Sequence, residues 1–151
     1  MKTVTLYAIR AHKPCVESWE TLLASLGKTR ADDTKVSIEY ILDLLGLDDA
    51  LWALRALPES QDSSIRLLLC DLVEPALQYT DDPRPAEAVR VAREYAFGNA
   101  TSDSLEAARD AARYAASDAE QAAEDAAGAT ACAAARKDQE RIFRDWLRSE
   151  S

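Results

Sequence analysis

The chain holds 151 residues, 48% of them hydrophobic, a share that supplies a core and excludes wholesale disorder. Eighteen Lys and Arg stand against 27 Asp and Glu, a net charge of -9, and so acidic a chain repels nucleic-acid phosphates and is no general nucleic-acid binder. Alanine occurs 29 times, glycine 4 times and proline 5 times; alanine enters a helix without losing side-chain entropy, so an all-α chain is expected.

Within Thr3–Arg10, Val4, Leu6 and Ala8 alternate with Thr3, Thr5 and Tyr7 as in a strand. No other segment reads as its partner, so a short helix or an extended arm is expected. Pro14 opens a helix with Val16, Trp19, Leu22, Leu23 and Leu26 at helical spacing, closed by Gly27. Lys28–Lys35 reads as a polar loop. Ser37–Leu45 is a short helix with Ile38, Ile41, Leu42 and Leu45 inward, stopped by Gly46. Asp48 is expected to cap the next helix, because its carboxylate can accept the free amide protons of a first turn. That helix carries Leu51, Trp52, Leu54, Arg55 and Leu57, with Pro58 at or just past its end. Asp62 or Ser63 starts another, through Ile65, Leu68, Leu69, Leu72, Val73 and Leu77, and Pro75 predicts a kink in it. Pro83 and Pro85 open a helix with Ala88, Val89, Ala92 and Ala96, ending at Gly98.

The remainder steps by threes and fours through Leu105, Ala108, Ala112, Ala115, Ala119, Ala122, Ala126, Ala129 and Ala133, a stripe of small residues on one face. An unbroken helix of about 48 residues would span roughly 70 Å, against a radius of gyration of about 15 Å for a compact domain of this length. The tract therefore bends or projects; Ser117 with Glu120 suits a capping box, and Gly128 is the favoured break. The expected organisation is one irregular multi-helix bundle over 1–151. Residues 1–98 form its first part and 99–151 an alanine-rich hairpin or long helix.

No apolar run reaches the roughly 18 residues of a membrane span, and the first residues lack the apolar stretch of a secretory signal. Cys15, Cys70 and Cys132 are odd in number and widely spaced, which speaks against a disulfide framework and for the cytoplasm. His12 and Cys15 begin a metal-ligand pattern that no second histidine completes, so no metal and no cofactor is expected. The pairs Asp32-Asp33, Asp48-Asp49 and Asp81-Asp82 stand at loops or helix starts, where capping accounts for them. No phosphate-loop, dinucleotide or nucleophile-elbow motif occurs, and no catalytic residue is assigned.

Three surfaces are candidates for contact with other molecules. Asp118, Glu120, Glu124 and Asp125 form an acidic stretch with no base between Tyr114 and Gly128, and either present negative potential to a basic partner or keep an alanine-rich tract solvated. Trp52 and Arg55, three apart, share a helix face, as an anchor or as a ring covering the core edge under the arginine stem. Phe143 and Trp146, with Ile142 and Leu147, make an aromatic-aliphatic patch flanked by Arg141, Arg144 and Arg148, as an interface anchor or docked on the chain's own core. The alanine face lets two helix axes approach closely and needs a partner helix, from this chain or from a second copy.

Tyr7–Ala11, Pro14-Cys15, Gly27-Lys28-Thr29, Ala31-Asp32-Asp33, Ile41-Leu42-Asp43 and above all Gly46–Ala56, followed by the late alanine tract, occur in that order. Together they resemble an alanine-rich, all-helical family of small bacterial and phage proteins, some described as immunity proteins. Tyr114 and the many acids of the tract depart from that pattern. The resemblance implies a non-enzymatic protein-binding inhibitor, of the immunity or the phage anti-defence (anti-CRISPR-like) kind. Its partner would be a toxin or a defence-system component, and its acidic helical surface would make the contact. The alternative is a self-assembling structural or regulatory protein, a homodimer through the alanine face.

Overall fold

The computed structural model describes residues 1–79, 81–108, 110 and 136–149. The fold is all-α, with a single two-stranded ribbon among the described residues. The chain divides into two compact units, Met1–Gln61 with Arg144–Ser151, and Asp62–Phe143.

In the first unit, β1 (Thr3–Thr5) runs into α1 (Leu6–Ala11), and α2 (Val16–Ser25) follows a short loop. Thr5 caps α1, its hydroxyl accepting the Ala8 amide proton at 3.1 Å. Beyond α2, Gly27 takes φ +67°, the left-handed turn expected of a glycine past a helix end. β2 (Lys35–Ser37) then pairs antiparallel with β1, Val4 opposite Val36. The alternation at Thr3–Arg10 is thus a strand for three residues and a helix for the rest. Its partner begins at Lys35, the end of the segment expected to be a polar loop. Only Val36 of β2 is buried, so one inward side chain is all the pattern it could show.

Ser37 ends β2 and caps α3 (Ile38–Leu45), its hydroxyl accepting the Tyr40 amide proton at 3.0 Å. The chain turns at Gly46, φ +97° and ψ -179°, a conformation that glycine alone adopts readily. α4 (Leu47–Ala53) begins at once, so Gly46 occupies the cap position and Asp48 does not. Asp48 and Asp49 lie in the first turn, where they favour the helix through its dipole. A 3-10 turn at Leu54–Ala56 closes the segment. Leu6, Ile38 and Ala50 are fully buried, with Ile9, Leu22, Ile41, Ala53 and Leu54 nearly so. Val16, expected inward, is 70% exposed because it is the first residue of α2.

In the second unit, α5 (Asp62–Val73) packs against α6 (Pro83–Ala96). Pro75 does not kink an α-helix. It has no N–H to give the Asp71 carbonyl, and Glu74–Tyr79 runs as a 3-10 helix instead. Asp82 caps α6 through the Arg84 amide at 2.9 Å, with proline in the first turn as expected. Arg93 on α6 reaches Asp71 at 2.8 Å and Glu74 at 3.0 Å. Residues 102–108 and 136–148 are helical. The stripe positions from Ala112 to Ala133 and both proposed break points lie outside the described residues.

Candidate functional site

α1, α2, α3 and α4 leave between them a shallow apolar cleft with a cavity volume of about 20 Å³. Its walls include Ile9, Trp19, Ile41, Leu45 and Trp52, and Asp49 is the one charged residue of the lining. Trp19 and Trp52 are both half-buried. The helical periodicity of α2 puts Trp19 on the side of Leu22, which is in the core and also lines the cleft. Val16, the first residue of α2, stands one turn before Trp19 and is exposed. α4 delivers Asp49 and Trp52 three residues apart, hence on one face.

Trp52 is held in place. The Arg55 guanidinium lies over its ring, 4.8 Å from the centroid, and Arg55 Nε donates to the Trp52 carbonyl at 3.0 Å. The shared face expected for this pair is present, and a cation over an indole ring contributes about 0.5–1 kcal/mol at an exposed site. No carboxylate pairs with Arg55 among the described residues, and no described residue hydrogen-bonds or ion-pairs with the Asp49 carboxylate.

The C-terminal aromatics sit elsewhere. Phe143 has 0% exposure, so no partner can reach it as it stands; a fully enclosed ring contributes to the chain's own core rather than to an interface. Trp146 is half-buried beneath Lys2, whose ammonium is 4.4 Å from the ring centroid. Lys2 Nζ also donates to the carbonyls of Trp146 and Ser149, 2.9 Å each. These are terminal carbonyls of the C-terminal helix, so Lys2 supplies the cation that such an end favours. Arg144 reaches Asp43 at 2.6 Å and Glu39 at 3.5 Å, and Arg148 reaches Glu39 at 3.0 Å. Two of the three arginines expected to flank an interface patch, Arg144 and Arg148, are therefore engaged with α3, while Arg141 faces Asp138 on its own helix at 4.0 Å. Burial lowers the Lys2 pKa from its ordinary value.

Asp118, Glu120, Glu124 and Asp125 lie outside the described residues. His12 and Cys15 are both exposed. No group of three or more His, Cys, Asp or Glu side chains comes together to hold a metal ion among the described residues. Cys70 is buried, its thiol facing the Val89 carbonyl at 3.8 Å, and burial pushes its pKa up, which makes it a poor nucleophile. No described helix is long and apolar enough to cross a membrane.

No protein-family model, no curated protein and no solved structure matches this chain.

Helical spacing alone marks neither Trp19 as a cleft residue nor Lys2 as a partner of the C-terminal helix. Trp19 falls in the apolar stripe of α2, and half of it is inward. What sets it apart is Trp52 across the cleft, a tertiary juxtaposition without a local signal. Lys2 carries no signal at all, since a lysine beside the first residue looks like any solvated terminus.

Proposed function

We propose that the chain is a non-enzymatic protein-binding inhibitor of the immunity or phage anti-defence type. The observation that supports this reading is the apolar cleft between Trp19 and Trp52 in a strongly acidic chain. Large, half-buried aromatic side chains with restricted rotamers are the usual anchors of protein interfaces, because they bury much area at small entropic cost. Arg55 adds to this by fixing Trp52 before any partner arrives. The net charge of -9 favours a basic partner and speeds encounter with it. In this reading Trp52 and Arg55 hold the partner, while Asp118, Glu120, Glu124 and Asp125 add negative potential.

The test is capture from a lysate of the source cell with the wild-type chain and with Trp52→Ala as baits, followed by purification of any protein enriched by the first alone. The reading expects that protein's own activity to fall on titration with the wild type. The variant should need at least tenfold more, the loss typical of an interface anchor. An enriched protein whose activity is untouched by saturating wild-type chain defeats the inhibitor reading.

A further inference from the structure

The first unit is completed by the end of the chain. Residues 144–149 belong to it, although they return only after 62–143, a stretch that forms the other unit and buries Leu68, Cys70, Leu72 and Val91 of its own. The docked end is held in one direction and one register. Glu39 and Asp43 stand four apart on α3, and Arg144 and Arg148 stand four apart on the C-terminal helix, so each pair shares a helix face. Arg144 meets Asp43 at 2.6 Å and Arg148 meets Glu39 at 3.0 Å, the earlier residue of one helix with the later of the other, so the two helices run antiparallel. Lys2 Nζ donates to the Trp146 and Ser149 carbonyls and so covers the helix end. Leu147, 5% exposed, is the apolar residue carried between the two arginines.

We infer that the surface made by Lys2, Glu39 and Asp43 takes the C-terminal helix of a second copy in place of the chain's own, so that two chains exchange these ends in a reciprocal dimer. The occupant is a second copy because every complementary group is on this chain: two cations four apart, an apolar residue between them, and a helix end for Lys2 to cover. The chain's own end is lightly held. The Arg148 and Asp43 side chains are 64% and 59% exposed, and ion pairs so open to water contribute little each. The chain leaves the first unit at Gln61 and returns to it at Arg144, and the stretch between keeps a core of its own. Exchange re-forms every contact that it breaks, so the entropy of association alone opposes it.

Two full-length variants carry the test. Arg144→Glu with Arg148→Glu sets an acidic end against the acidic face of α3. Glu39→Lys with Asp43→Lys sets a basic face against the basic end. Each variant alone repels its own end and that of every copy, whereas an equimolar mixture offers two matched surfaces. The readout is mass by light scattering. Each variant alone is expected near 16.6 kDa and the mixture near twice that, returning to monomer in about 1 M salt, where exposed charge pairs are screened. A chain with all four substitutions can close on itself again and is expected to be monomeric. Where a double variant loses helix content by circular dichroism, Arg148→Glu and Glu39→Lys replace the doubles with the same reading, since these two partly exposed side chains pair at 3.0 Å. The wild type should be monomeric when dilute and show a dimer toward about 1 mM, the order of effective concentration within one chain. A mixture that stays at the monomer mass overturns the inference, as does a wild type that is monomeric at that concentration. A variant that dimerises alone as well as it does in the mixture also overturns it, because the contact then lies elsewhere, such as the alanine face.

Discussion

Replacing Lys2 by methionine tests how the first unit is closed. Methionine keeps most of the side-chain length and apolar stem and removes the ammonium. Lost with it are two hydrogen bonds of 2.9 Å to the carbonyls of Trp146 and Ser149 and a cation 4.4 Å from the Trp146 ring. Charge-assisted hydrogen bonds contribute about 1.5–3 kcal/mol each and the ring contact about 0.5–1 kcal/mol. Against this stands the cost of dehydrating the ammonium, which is real, because burial lowers the Lys2 pKa. That cost offsets the contacts in the wild type, but the substitution leaves the Trp146 and Ser149 carbonyls without their donor, and about 2 kcal/mol is the loss expected for such orphaned acceptors. At about 2–4 °C per kcal/mol for a chain of this length, the unfolding midpoint should drop by about 4–8 °C. Circular dichroism and tryptophan fluorescence on heating measure it. The pH profile gives a second arm. With the folded pKa below the unfolded 10.5, the unfolded chain holds more protons in the window just under 10.5. Wild-type stability relative to Lys2→Met should therefore rise with pH across that window and be level below it. A variant as stable as the wild type, or more so, would mean that dehydration outweighs the contacts, and the account of Lys2 as the cation closing the C-terminal turn would fail.

Other substitutions probe single links. Ser37→Ala removes the cap of α3 and should cost about 1 kcal/mol, read as a lower urea midpoint at unchanged slope. Gly46→Ala meets open space around the added Cβ, so its cost is backbone strain at φ +97° alone, about 1–3 kcal/mol by the same denaturation. Asp32 is held near a pKa of about 2 by the Lys28 ammonium at 2.5 Å and by the Thr34 amide. Its contribution is complete above the ordinary 3.8 and lost as pH falls toward 2. A carboxyl titration by NMR should find that low midpoint, and Asp32→Asn should flatten the acid limb of the stability curve. Leu54→Ala opens a cavity in the core and should cost about 2–5 kcal/mol, read as a lower urea midpoint.

How far the sequence foretold this molecule differs from element to element. α2 and α6 were legible because their punctuation is local: Gly27 past one end, Pro83 at the other helix's start, Gly98 past its end. β2 was not, since three residues with one buried valine carry no period. The misplaced cap at Asp48 has a similar origin. A carboxylate before an apolar run looks like a cap, yet Gly46 turns the chain two residues earlier, and the helix starts there with Leu47 buried. Arg55 over Trp52 could be foreseen, because three-residue spacing on a helix brings the two together. The cleft could not, because its lining is gathered from α1, α2, α3 and α4, far apart in the chain.

The central claim is that this chain acts by gripping another protein at Trp19 and Trp52. Its most direct test replaces Ser18, which lines that cleft, with a photo-crosslinking amino acid and irradiates the full chain in a lysate of the source cell. The account predicts one dominant protein adduct, suppressed by excess wild-type chain, not suppressed by excess Trp52→Ala, and formed with a protein whose activity the wild type reduces. An adduct that excess wild type and excess Trp52→Ala suppress equally would contradict it.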